Sequence, residues 1–275
     1  VEGLPHGPDN RIASCLIHPF GWQAFFKENP MKYVIMGCCL LLCCFSTGYA
    51  QELDGNAILK QVDANMQPES YEMYRKLINI EPDGSKKEFV LYTVKKGQDK
   101  MVALFLSPAS EKGRSTLRLG DNMWLYIPAV GKPLRITSLQ SVVGGIFNNS
   151  DILRLDYSVE YDAVSITDNG DVYLLELQAK HGSVAYDHLT MTVDKEVLLP
   201  TRIECYAASN MLIKTLHYSA IKDFGDGLVR PSQLETDSPL NKGYKSVMLF
   251  AKVARKDFRD EVFTLNYLSK VDELR

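Results

Sequence analysis

Past residue 50 the chain carries three histidines, His181, His188 and His217. None stands in an H-x-x-x-H spacing or beside a cysteine, so no metal site is expected. His181 precedes Gly182 and reads as a turn residue; His188 and His217 lie on predicted strands and read as structural. Asp156 and Glu160 are close enough in sequence to suggest an acid–base pair, but charges on a half-exposed sheet ordinarily face water. There is no G-x-S-x-G, phosphate-binding loop or dinucleotide fingerprint. The "GDG" at 225 to 227 is a turn with no helix after it. With no nucleophile set beside a base, the chain is expected not to be an enzyme and to need no cofactor. A net charge of -3 argues against nucleic acid, which demands clustered excess Lys and Arg.

Cysteine chemistry is equally sparse. Cys15, Cys38, Cys39, Cys43 and Cys44 all precede residue 50, leaving Cys205 in "TRIECYAAS". A lone cysteine in that setting reads as a small buried hydrophobe.

What remains is apolar. In "RLGDNMWLYIPAVGKPLRI", residues 118 to 136, two short strands flank a turn, and Trp124, Tyr126, Ile127 and Pro128 fall in one run. Strand alternation puts Trp124 and Tyr126 on one face and Leu125 and Ile127 on the other. Such a face either walls a cavity or is ordinary core, and spacing leaves both open.

The elements that would position these residues are mostly strands. "ELDGNAILKQVDANM" predicts one helix, with Ile58, Leu59, Val62 and Met66 at helical spacing and Asp54 or Asn56 as its cap. The period then drops to two, broken by turns such as Pro82-Asp83-Gly84 and Asp168-Asn169-Gly170. About ten or eleven short strands without βαβ alternation predict one mainly-β domain over 51–275, a half-open antiparallel barrel or a sandwich.

Residues 138–158, "SLQSVVGGIFNNSDILRLDYS", break the alternation. Leu139, Val142 and Val143 suit one apolar helical face. Ile152, Leu153 and Leu155 suit another after a cap at Ser150 or Asp151, with Gly144 and Gly145 as the hinge between them. An apolar excursion of this kind must bury its face on the sheet or on a ligand, which makes it a candidate lid.

Residues 31–50 read as a targeting sequence. From Met31, Lys32 supplies a basic start, Tyr33 to Phe45 an apolar run, and Gly48 and Ala50 the small residues before a cut. Residues 31–50 are therefore expected to be a cleaved signal peptide, and the protein periplasmic. A retained anchor is less consistent with the small-residue site. A lipoprotein signal is disfavoured by the short run before Cys38 and the lack of a small residue before Cys43. Residues 1–30 precede this Met and are expected to be an upstream extension outside the fold.

The order of blocks "GDNMWLYIP", "GKPLRI", a Gly-Gly and an Asp-Ile/Leu helix start resembles the LolA-like outer-membrane lipoprotein-sorting proteins. "ILKQVDANM", "FLSPASEKGRSTLRL", "VLLPTRIECY", "GLVRPSQLE" and "FTLNYLSKVDEL" extend the likeness over most of 52–275. The resemblance implies a half-open barrel with an N-terminal helix and a short helical lid over an apolar cavity. It implies a monomeric periplasmic carrier or chaperone of lipoprotein or lipid acyl chains, working between an inner-membrane transporter and an outer-membrane acceptor. The alternative on the same fold is a non-catalytic sensor or accessory subunit of an envelope transporter or stress regulator. The implied lipid contacts are Trp124, Tyr126, Leu134 and Ile136 on the wall. On the lid they are Leu139, Val142, Val143, Ile146, Phe147, Ile152 and Leu153, with Gly144 and Gly145 as hinge. The family's carriers latch the lid with an Arg before a Pro; here that position is Ser107 before Pro108, which leaves Arg114, Arg118 or Arg135 as substitutes.

Overall fold

Helix α1 (Gly55–Met66) starts where Asp54 can cap it: the carboxylate accepts the N–H groups of Asn56 at 2.9 Å and Ala57 at 3.1 Å. Leu59, Val62, Asp63 and Met66 form its buried face. A Cβ on Gly55 would lie 2.9 Å from that of Ala163, so only glycine lets the first turn sit this close to the sheet. The computed structural model describes residues 53–275; the expected signal peptide and the 1–30 extension lie outside the described residues.

Thirteen strands follow in one antiparallel sheet. They are β1 (Tyr71–Ile80), β2 (Lys86–Lys96), β3 (Lys100–Ser107), β4 (Ser115–Leu119), β5 (Asn122–Tyr126), β6 (Pro133–Ile136) and β7 (Tyr161–Asn169). Then come β8 (Val172–Ala179), β9 (His188–Asp194), β10 (Leu199–Tyr206), β11 (Leu212–Asp223), β12 (Val229–Asp237) and β13 (Lys245–Arg255). The spatial order is 6-5-4-3-2-1-13-12-11-10-9-8-7. Every sequential pair is a hairpin neighbour except β6 and β7, and β1 pairs with β13 instead. The mainly-β, half-open reading holds. The strand count, thirteen, exceeds the expected ten or eleven.

This topology decides what the middle of the chain must do. The free edges, β6 and β7, are consecutive in sequence. Residues 137–160 therefore travel from one edge of the open sheet to the other.

The sheet buries side chains on both faces. On the inner face Leu77, Leu91, Phe105, Met191 and Ile203 pack with α1 and the crossing segment. On the outer face Tyr92, Val94, Val102, Leu104 and Leu117 pack against Phe258, Val262, Phe263, Leu268 and Val271. These last come from two 3₁₀ segments, Asp260–Phe263 and Leu265–Leu274, which form the expected closing block. Two-sided cover explains why "FVLYTVK" reads as a nearly continuous apolar run.

The outer layer also settles the opening face. Trp124 and Tyr126 are partly buried against the outer cluster, whereas Met123 belongs to the inner one. The pair implied as cavity wall thus points away from the crossing segment. Alternation gives the two faces but not which one the C-terminal segment will claim.

Candidate functional site

The crossing segment is mostly irregular. Ser141 and Asn148 form an isolated antiparallel bridge, and Gly145 N–H donates to the Val142 carbonyl at 3.1 Å. Between them Val143 (φ 47°) and Gly144 (φ 74°) take left-handed backbone. A Cβ on Gly145 would meet the Asn79 amide oxygen at 2.1 Å. Gly144 and Gly145 therefore build a tight tip, one by its φ and the other by close approach, instead of separating two helices. No helix forms over 139–143, contrary to expectation, because that backbone pairs across the tip instead: Val142 N–H donates to the Phe147 carbonyl at 2.9 Å and Asn149 N–H to the Gln140 carbonyl at 3.1 Å.

The helix that does form is α2 (Asn149–Ile152), capped by Asn148, two residues before the nearer of the expected caps, Ser150 and Asp151. Asn148 accepts Asp151 N–H at 3.0 Å, while the Asp151 carboxylate accepts Asn148 N–H at 2.9 Å, a reciprocal capping box. A second turn, α3 (Tyr157–Glu160), leads into β7.

The lid residues named from sequence separate by depth. Val142, Ile146, Phe147, Ile152 and Leu153 are buried, and Val143 packs on the inner core from a partly buried position. Leu139 is 56% exposed and joins no core. On the wall, Ile136 packs on the inner core, while Leu134, on the same face of the edge strand, is 40% exposed. The structure thus brings together Ile136 and five lid residues, Val142, Val143, Phe147, Ile152 and Leu153, on the inner core, without Trp124, Tyr126, Leu134 or Leu139; Ile146 is buried but joins neither cluster.

Buried cations fasten this segment to the inner sheet face. Lys95 bonds Asp156 at 2.7 Å. Lys214 bonds Asp151 and the Ile146 carbonyl, each at 2.7 Å. Arg118 pairs with Glu160 and donates to the Leu153 carbonyl at 3.0 Å. Arg75 donates to the Ile152 carbonyl at 2.6 Å. Of the three substitutes for the missing latch arginine, Arg118 reaches the segment. Arg114 bonds Glu111, and Arg135 bonds Asn122 and lies over the Trp124 ring. Asp156 and Glu160 do not face water, as expected of them, because each neutralises a cation that strand alternation has turned inward.

The helix side holds the segment too. Asp63 of α1 accepts the N–H groups of Tyr157 at 2.7 Å and Ser158 at 2.8 Å. Burial, reinforced by the Asp156 carboxylate, pushes the Asp63 carboxyl up to about 6 against the lowering pull of those bonds.

Sequence reasoning missed Arg75, Lys95, Lys214 and Asp63. A signal for the cations was present. "YEMYRKL", "FVLYTVK" and "LIKTL" each carry a basic residue on the phase of the alternation that is otherwise apolar or uncharged. Such a residue must find a buried partner.

Beneath the segment lies an interior hollow of about 20 Å³, room for about one water. Met73, Met101, Met248, Leu216, Leu234 and Phe250 line it, together with Arg75, Arg154 and Arg230. It is smaller and more polar than the roomy apolar cavity that the resemblance implies. A groove of about 550 Å³ runs on the surface beside the tip, between Phe89, Pro108 and Val143.

Elsewhere the titratable groups are occupied. His188 stacks on Tyr206 with ring centroids 4.7 Å apart, His181 bonds Ser183 at 2.6 Å, and His217 lies 3.5 Å from Asp237. Cys205 is buried, which raises its thiol pKa. Among the described residues no group of three His, Cys, Asp or Glu is placed to hold a metal, and no helix is long and apolar enough to cross a membrane.

Residues 97–270 match a family model described as "Uncharacterized protein". No curated protein matches the chain. Among solved structures, a LolA superfamily protein from Nitrosomonas europaea aligns with a TM-score of 0.71 at 25% identity, covering 78% of this chain and 99% of that one. A DUF1329 family protein from Desulfovibrio piger aligns at 0.68 and 24% identity, covering 78% and 97%. A putative outer membrane lipoprotein-sorting protein domain from Vibrio parahaemolyticus aligns at 0.66 and 19%, covering 78% and 98%. The last two share the fold.

Proposed function

Because the chain belongs to the LolA-like family of lipoprotein-sorting proteins, we propose that it is a non-catalytic carrier of lipid or lipoprotein acyl chains. The observation that carries this reading is the crossing segment. It spans the open edges of the sheet with Val142, Ile146, Phe147, Ile152 and Leu153 turned inward, over a floor rich in methionine. Its polar attachments are the ion pairs and carbonyl bonds that Arg75, Lys95, Arg118 and Lys214 make to Ile146 and to residues 151–160, and these are exchanged for water as it lifts. Lifting it uncovers an apolar floor that an alkyl chain can cover again.

The magnitudes favour such an exchange. A buried methylene contributes about 0.8 kcal/mol, so eight contribute about 6 kcal/mol toward opening. Methionines suit the floor because their unbranched side chains refill irregular space once the guest leaves. The closed form, with about 20 Å³ of hollow, holds no alkyl chain until the cover moves.

In this reading the lipid contacts are Ile136, Val142, Val143, Ile146, Phe147, Ile152 and Leu153, with Gly144 and Gly145 at the moving tip. Residues 51–275 act as one carrier domain in the periplasm after the signal peptide is cut behind Ala50. The partners are an inner-membrane transporter that loads the chain and an outer-membrane acceptor that unloads it. Native mass spectrometry of the exported protein tests this directly: it should begin at Gln51 and carry lipid or lipidated protein. Failure to retain lipid, together with no uptake of a fluorescent fatty acid, would reject the carrier role.

A further inference from the structure

Two kinds of cation face the interior, all buried except the partly buried Arg154. Lys95, Arg118 and Lys214 each hold a carboxylate. Arg75, Arg154 and Arg230 line the hollow and, among the described residues, bond no carboxylate. Arg75, 5% exposed, donates to the Ile152 carbonyl and to the Met248 sulfur at 3.5 Å. Arg154 donates to the hydroxyls of Tyr157 at 2.6 Å and Tyr218 at 2.8 Å. Arg230, 1% exposed, lies 4.6 Å from the Phe250 ring centroid, and its polar contact is a long bond of 3.4 Å to the Pro231 carbonyl.

The nearby acids are engaged elsewhere. Asp151 is held by Lys214 and Tyr186, Asp156 by Lys95 and Gln67, and Asp63 by two backbone N–H groups. Arg75 Nε and Arg230 Nη1 are buried donors without an acceptor. A guanidinium left this way costs several kcal/mol unless something compensates it. Burial, and then repulsion by neighbouring arginines, lowers both Arg75 and Arg230 to about 10, a direction that an added anion would reverse. Forked guanidinium donors suit the paired oxygens of a carboxylate or phosphate.

We propose that Arg75, Arg154 and Arg230 seat the acidic head of an amphiphile whose alkyl tail lies among the floor methionines. The inference rests on the carrier reading and narrows its cargo to acidic-headed lipids. The carboxylate and the phosphate share the recognition chemistry. The apolar lining of the same hollow argues for a headgroup that brings a tail with it.

The test titrates the exported protein with dodecanol, dodecanoate, dodecyl phosphate and inorganic phosphate by calorimetry. At least one of the two acids should bind roughly tenfold to a hundredfold tighter than the alcohol, and inorganic phosphate alone far more weakly. Which acid binds tighter assigns the head as carboxylate or phosphate. In Arg230→Met, or Arg230→Gln if the first does not fold, the ratio of acid to alcohol affinity should fall toward one. The Tm should hold or rise, since an unpaired buried charge has been removed. Alcohol binding as tightly as both acids, or an unchanged ratio in the variant, overturns the acidic-head inference and leaves the carrier reading standing. Inorganic phosphate matching dodecyl phosphate overturns the amphiphile part. Binding of no alkyl probe overturns both.

Discussion

Replacing Lys214 with methionine should loosen the crossing segment before it unfolds the sheet. The ammonium is nearly inaccessible and holds two acceptors on that segment, the Asp151 carboxylate and the Ile146 carbonyl, each at 2.7 Å. After Lys214→Met, Asp151 keeps the Tyr186 hydroxyl at 3.1 Å and the Asn148 N–H at 2.9 Å but loses its cation, and the Ile146 carbonyl loses its side-chain donor. Removing one partner of a buried pair costs about 3–5 kcal/mol. At about 1.4 kcal/mol per decade, the opening equilibrium of the segment rises by roughly two to nearly four orders of magnitude. Hydrogen exchange read by mass spectrometry should show that increase in peptides covering 138–158, with the central strands β1 and β13 changing far less. The double variant Lys214→Met with Asp151→Asn should recover most of the protection, because the stranded charge goes with its partner. A rise below tenfold in the single variant, or equal losses throughout the sheet, would refute the idea that this pair fastens a separately movable cover.

Three further outcomes follow from the same geometry. Asp63 holds its proton more tightly in the folded chain (about 6) than an ordinary aspartate (3.8), so its stabilising contribution is complete below pH 3.8 and is lost as pH rises through 6. The swing is about 3 kcal/mol; urea midpoints of wild type and Asp63→Asn should diverge by that order between pH 4 and 7, and parallel curves would contradict the assignment. Gly145→Ala must displace Asn79 from its bonds to Ser246 (2.8 Å) and Val143 (3.3 Å), at about 1–3 kcal/mol, seen as faster exchange at the 141–148 tip. Trp124→Ala should lower the Tm by uncovering the outer cluster yet leave alkyl-chain affinity unchanged; a large loss of binding would return Trp124 to the ligand wall.

Much of the architecture is legible because periodicity reports local geometry directly. The Asp54 cap, the α1 face and the Asn169-Gly170 hairpin all follow from side chains that act on their own neighbours in sequence. The orientation of β5 does not, since Trp124 faces outward only because distant Phe263 and Leu268 cover that side. The crossing segment, whose Phe147 and Leu153 are buried, was legible in outline as an apolar excursion between strands. Its shape was not, because Val143 adopts a left-handed backbone that a β-branched residue ordinarily avoids, and a helix pattern read through it fails. The inward cations were visible as breaks in alternation, but their partners lie on the crossing segment, and pairing across such distances leaves no periodic trace.

The pairing of β1 with β13 gives the sheet a spine. Two arms, β1 to β6 and β7 to β13, are each stitched by successive hairpins, and they meet at this seam and again through the strap between their tips. Either arm can therefore assemble locally, while the seam waits for the first and last strands to meet, the slowest kind of contact to form. If the carrier reading holds, the strap sets how far the arms spread, and releasing it should widen the gap between β6 and β7 with every strand pairing intact.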